Sequence, residues 1–148
     1  NLTDLAAAIG LSQLQRYPEM LSRRREIIRR YDEVFLPLGV ISLPHETAES
    51  QSSGHLYICR VPEITQEQRN ALFTEMAQQG ISCNVHYIPL PMLTAYRTMG
   101  FRIEDFPNAF AFFSNEITLP LHTLLTDAEV DYIISVFSDL VRKYCVLK

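Results

Sequence analysis

Few residues of this chain have the chemistry to touch a ligand or move a proton: Asn1, His55, His86, Tyr87, Tyr96 and His122. The pair His86-Tyr87 stands out by position. It closes what reads as a strand, just before Pro89-Leu-Pro91, where side chains emerge at a sheet edge. An imidazole there can serve a carboxylate, a phosphate or a sugar hydroxyl in either charge state. His55 follows Gly54 at a strand start and reads as a half-buried histidine bonded to backbone. His122 reads as a loop residue, and His45, beside Glu46 in a loop, receives no role. Tyr96 lies among Met92, Leu93 and Met99 on a short apolar helix, with its ring in the core and its hydroxyl at the rim. Cys83 and His86 have C-x-x-H spacing, but positions i and i+3 of a strand face opposite ways and no second ligand pair accompanies them. No metal site is expected. There is no Gly-rich phosphate loop, no G-x-S-x-G and no paired zinc ligands, so the sequence holds no self-contained active site.

These residues need elements to hold them. Residues 3–36 read as helical, with Leu5, Ile9, Leu11 and Leu14 at helical spacing. Proline suits a first turn better than a helix interior, so Pro18 predicts two helices meeting near Tyr17. The second would turn Met20, Leu21, Ile27, Ile28, Tyr31, Val34 and Phe35 inward. It also carries Arg23, Arg24, Arg25, Arg29 and Arg30. Five arginines around a helix cannot all converge, so they read as a solvated side with Glu26 and Arg30 paired at i,i+4. One of them could still reach a nucleotide diphosphate.

Val40 to Leu43 reads as a short strand and His45 to Gly54 as a polar stretch, with Ser50 to Gly54 a mobile loop. His55 to Val61 is apolar on both faces, as a covered central strand would be. Thr65-x-x-Gln68 forms a capping box for a helix to Gln79, stopped by Gly80. Ile81 to Ile88 is the next predicted strand, followed by short helices to Met99 and over Pro107 to Glu116. Ile117 to Pro120 is a brief extended piece. Thr126-Asp-Ala-Glu129 caps a final helix buried through Val130, Ile133, Ile134, Phe137, Leu140 and Val141. The fold class is therefore α+β, a small, mainly antiparallel sheet covered by helices, with a parallel pair allowed across the helix between the two main strands.

The composition fits one folded domain. The 148 residues are 47% apolar and 20% charged, with net charge -4, which argues against a general nucleic-acid binder. No run of about 20 apolar residues is present and no leader is read at the N-terminus, so neither membrane nor secretion is expected. Cys59, Cys83 and Cys145, odd in number and widely spaced, fit a reduced, cytoplasmic setting.

Several segments, in order, resemble the DegT/StrS-type family of pyridoxal-phosphate (PLP) nucleotide-sugar aminotransferases. They are Asn1-Leu-Thr-Asp with Ala6 to Leu14, Arg23 to Ile27 with Tyr31, and His55 to Val61. Gly80-Ile81, Val85 to Leu90, Tyr96, Gly100-Phe101 and Phe106 to Ala109 continue the series. Ile117 to Leu121 and Leu125 to Asp127 complete it. The resemblance covers nearly the whole chain. It implies the C-terminal domain of an aspartate-aminotransferase-type (fold type I) PLP enzyme, with 1–36 a helical lead-in from the large domain and 37–148 the small domain. It implies transfer of an amino group, typically from glutamate, to a nucleotide-linked keto-sugar, in a homodimeric parent. Asn1 matches an asparagine that reaches the PLP phosphate. His86 matches a histidine on the sugar-nucleotide side, and Tyr87 and Tyr96 are further substrate-side candidates. Many members carry a second histidine where this chain reads Leu90-Pro91, which suggests a subgroup with its own sugar.

Such an enzyme holds PLP through a lysine, and the only lysines here are Lys143 and Lys148 at the C-terminal end. The chain alone is therefore expected to bind no PLP and to be inactive. Two other readings stay open: a stand-alone binding or regulatory module, and a dimerisation piece with exposed apolar patches.

Overall fold

The structure, a computed structural model, describes residues 2–145. It opens on a single helix, α1 (Asp4–Phe35), capped by the Thr3 hydroxyl, which accepts from the Ala6 N–H at 3.3 Å. Contrary to the expectation of two helices, α1 runs through Pro18. A mid-helix proline costs about 3 kcal/mol. Strong helix formers before it and a buried face after it offset that loss. That buried face is Ile27, Ile28, Tyr31 and Phe35. The first half has no such support, and Leu5, Ile9, Leu11 and Leu14 are each more than half exposed.

After a single 3₁₀ turn come β1 (Ile41–Ser42) and β2 (Tyr57–Arg60). α2 (Gln66–Gln78) starts at the expected capping box, with both reciprocal bonds between Thr65 and Gln68 present. Two short helices follow, α3 (Thr94–Thr98) and α4 (Pro107–Asn115), the latter with proline in its first turn. β3 (Glu116–Leu119) and α5 (Asp127–Cys145) complete the described residues. The second expected capping box is also present, the Glu129 carboxylate accepting from the Thr126 N–H at 2.8 Å.

The sheet has order β1-β2-β3 and both pairings are antiparallel, so the parallel option falls away. Its register pairs Tyr57 with Leu119 and Cys59 with Ile117 on one face, and Ile58 with Thr118 and Arg60 with Glu116 on the other. The first face meets the core. Tyr31 lies edge-on to Tyr57 at 4.9 Å and stacks on Phe35 at 5.4 Å, while Phe35 meets Phe137 of α5 edge-on at 4.9 Å. Leu72 and Met76 of α2 join the same buried cluster.

The strand expected over Ile81 to Ile88 does not form. Its one ladder contact is Asn84 with Thr118, through N–H···O bonds of 3.0 and 2.8 Å. The reason lies in the next donors, which go to side chains instead of a neighbouring strand. The Val85 N–H is taken by the Asn84 side chain at 2.8 Å and the His86 N–H by the Glu116 carboxylate at 3.0 Å. Pro89 then has no N–H to offer.

Candidate functional site

The face of β3 away from the core carries Glu116 and Thr118, two residues apart and therefore on the same side. Both are buried although polar. The irregular segment after Asn84 lays His86 over them. His86 Nδ1 lies 2.9 Å from the Thr118 hydroxyl, and that hydroxyl donates to Glu116 Oε1 at 2.7 Å. The other carboxylate oxygen, Oε2, accepts the His86 backbone N–H. On the surface side, Asn84 Nδ2 approaches His86 Nε2 at 3.3 Å. The result is a chain of bonds from a buried carboxylate, through a hydroxyl, to an imidazole at the rim.

Burial pushes the Glu116 carboxyl above its usual range, against the hydrogen bonds from Thr118 and the His86 backbone, which pull it down. Behind it lies Arg69, itself buried. Its guanidinium donates to the Glu116 carbonyl at 2.8 Å and sits 4.9 Å from the Phe113 ring. Arg69 thus anchors the start of β3, where Glu116 is presented, through the carbonyl and a ring face, and its nearby charge also pulls the Glu116 carboxyl down, more weakly than burial raises it. Arg60, paired with Glu116 across the sheet, donates to Asn115 Oδ1 at 2.8 Å and to the Ala111 carbonyl at 3.1 Å.

Of the residues singled out in the sequence, His86 and Tyr87 come together at this rim, their rings 4.7 Å apart and edge-on, with Tyr87 exposed. The peptide bond between them is cis. Tyr96 stands apart on α3, half-buried against Phe101 at 6.1 Å. No hydrogen bond or ring contact joins it to His86 among the described residues. Asn1 lies outside the described residues. His55 and His122 are exposed. His45 is half-buried, its ring parallel to Tyr57 at 6.0 Å, and burial lowers its basicity. Burial pushes the Cys83 thiol up to about 12, and no group of three metal-type ligands occurs among the described residues.

The five arginines Arg23, Arg24, Arg25, Arg29 and Arg30 of α1 all have partners within the chain. Arg23 donates to the Leu125 carbonyl at 2.6 Å and pairs with Glu26 and Asp127, each at 2.9 Å. Arg30 pairs with Asp127 at 2.8 Å and Asp131 at 2.6 Å. Arg24 reaches the carbonyls of Gly54, His55 and Leu121. Arg25 bonds Gln51, and Arg29 lies 3.7 Å from Glu33.

The sequence reading singled out His86 but not Glu116, Thr118 and Asn84, the residues the structure places against it. A signal existed in Glu116-Ile-Thr-Leu119, where alternation in an extended piece puts carboxylate and hydroxyl on one face.

A helix-covered antiparallel sheet of this topology, with its polar outer face at the rim, is the architecture found in aminotransferases of fold type I, and structural relatives identify it as theirs. The chain superposes on Spr1654 of Streptococcus pneumoniae in its PMP form with a TM-score of 0.93 and 51% identity, over 99% of this chain and 37% of that one. The family is then specific: residues 1–138 match the DegT/DnrJ/EryC1/StrS aminotransferase family, and the chain belongs to it. Spore coat polysaccharide biosynthesis protein SpsC of Bacillus subtilis is 32% identical over 96% of this chain and 37% of its own length. The dTDP-4-dehydro-2,3,6-trideoxy-D-glucose 4-aminotransferase of Saccharopolyspora spinosa is 31% identical over 95% of this chain and 35% of its own. The chain thus spans little more than a third of the curated relatives it matches. Among the described residues no helix is long and apolar enough to cross a membrane.

A covalently held PLP needs an available lysine amine. Lys143 lies on α5, its ammonium 2.7 Å from both oxygens of Glu75. It is the one lysine among the described residues, so these residues do not fit that cofactor.

Proposed function

We propose that this chain is the small domain of a PLP-dependent nucleotide-sugar aminotransferase. In that enzyme an amino acid, glutamate in the simplest reading, gives its amino group to a keto-sugar on a nucleotide carrier. The product would serve cell-surface polysaccharide or related sugar synthesis, in the cytoplasm. PLP supplies the electron sink for such a transfer, and its lysine would come from polypeptide outside these residues, so the chain alone is inactive. Residues 1–36 would lead in from the large domain and 37–148 form the small one. The exposed Leu5, Ile9 and Leu14 on the first half of α1 support a packing partner there, in a homodimeric parent.

The observation that carries the reading is His86, held from below by Thr118 and Glu116 and open at the rim beside the exposed Tyr87. In this reading His86 meets the sugar, with Tyr87 and Tyr96 lining the same side and Asn1 reaching the cofactor phosphate. In the complete polypeptide, His86→Ala is expected to raise the KM for the nucleotide sugar about 3–10-fold, as one lost hydrogen bond would, with the KM for glutamate unchanged. Steady-state kinetics with each substrate varied checks this, and an unchanged sugar KM contradicts it.

A further inference from the structure

The bonds around His86 leave little freedom for its proton. Thr118 has one hydrogen, and it points to Glu116 Oε1 at 2.7 Å. The hydroxyl oxygen can then only accept from His86 Nδ1, 2.9 Å away, so Nδ1 carries a hydrogen. The opposite nitrogen tells the same story independently. Asn84 Oδ1 accepts the Val85 N–H at 2.8 Å, which turns the amide NH₂ toward His86 Nε2 at 3.3 Å. A donor facing Nε2 requires a lone pair there. That contact is long and at the surface, so a better donor can replace it.

We propose that Glu116 and Thr118 are positioning residues that fix His86 as the neutral Nδ1–H tautomer, so that Nε2 acts as a hydrogen-bond acceptor and selects a ligand hydroxyl over a phosphate oxygen. An ionised phosphate oxygen has no hydrogen to give Nε2, whereas a sugar hydroxyl does. The hydroxyl part of this inference rests on the reading of His86 as a sugar contact; the tautomer does not.

Glu116 sets the direction of the whole chain. As a carboxylate it accepts at both oxygens, from the Thr118 hydroxyl and from the His86 backbone N–H. A glutamine keeps the shape but turns one acceptor into a donor. Its oxygen must face the backbone N–H, which can only donate, so its NH₂ faces Thr118. The Thr118 hydrogen must then turn to His86 Nδ1, and the imidazole proton moves to Nε2.

The test is nuclear magnetic resonance of the chain with ¹⁵N-labelled imidazoles, at a pH of about 8, where an ordinary histidine of pKa about 6.5 is neutral. The chain's other histidines are His45, His55 and His122, and loss of one signal set in His86→Gln assigns His86. In the unaltered chain Nδ1 is expected to be protonated and Nε2 bare. In Glu116→Gln the two nitrogen shifts are expected to exchange. Thr118→Ser should keep the original pattern and Thr118→Val should give a mixture. An Nε2–H tautomer in the unaltered chain, or an unchanged pattern in a folded Glu116→Gln, overturns the proposal. The first of these needs no variant, so a misfolded mutant cannot shield it. The tautomer is read with no ligand present, so its failure leaves the proposed function standing. Conversely, an unchanged sugar KM in His86→Ala removes the substrate reading and leaves the tautomer intact.

Discussion

Phe35→Ala is expected to lower the stability of this chain by about 3–5 kcal/mol, a large share of the roughly 5–15 kcal/mol that holds a typical domain folded. Phe35 has no exposed surface and sits where three elements meet, against Tyr31 of its own helix, Tyr57 of β2 and Phe137 of α5. Truncation opens a cavity that rigid aromatic neighbours cannot close. The same change at the other end of the same helix should do almost nothing. Leu14 is 65% exposed, and Leu14→Ala is expected to stay within about 0.5 kcal/mol. Urea unfolding of both variants checks the contrast, and similar losses at the two sites would contradict the division of α1 into a core half and an unsupported half.

Arg24→Ala is expected to cost about 1.5–3 kcal/mol, the range for hydrogen bonds made by a charged group. One guanidinium nitrogen serves three carbonyls, Gly54 at 2.8 Å, His55 at 3.2 Å and Leu121 at 3.4 Å. These lie just before β2 and just after β3, so Arg24 ties the central strand and its β3 neighbour to α1. The approach is close. Gly54 has φ of +62°, and a Cβ there would meet Ile28 Cδ1 at 3.0 Å and Arg24 Cβ at 3.3 Å. Lysine lacks the planar fork, so Arg24→Lys is expected to restore little. Thermal or urea unfolding measures the loss. An Arg24→Ala variant as stable as the parent chain would reopen the idea of this arginine as a ligand contact.

What the sequence made legible, and what it hid, follows from where the bonds are local. Both capping boxes were readable because their partners are three residues apart. The inward stripes of α1 and α5 were readable for the same reason, since a helix repeats within a few residues. Pro18 misled because the cost of a proline is local, whereas the packing that outweighs it involves α5 and the sheet. Residues 81–88 misled for the opposite reason. Their pattern suits a strand, but Asn84 and the distant Glu116 capture the N–H groups a ladder would need. His86 was visible as a histidine before a double-proline turn. Its supports were not, because Glu116 and Thr118 lie about thirty residues away. Family resemblance, by contrast, drew on the whole chain at once.

The most direct measurement of the central claim uses the 148-residue chain itself. The chain is incubated with PLP, reduced with borohydride and examined by absorbance and peptide mass spectrometry. A small domain that lacks the cofactor lysine should show no stoichiometric reducible band and no single labelled lysine. Lys143, held by Glu75, should react no more than any surface amine. One PLP per chain, fixed by reduction at Lys143 or Lys148, would contradict the account.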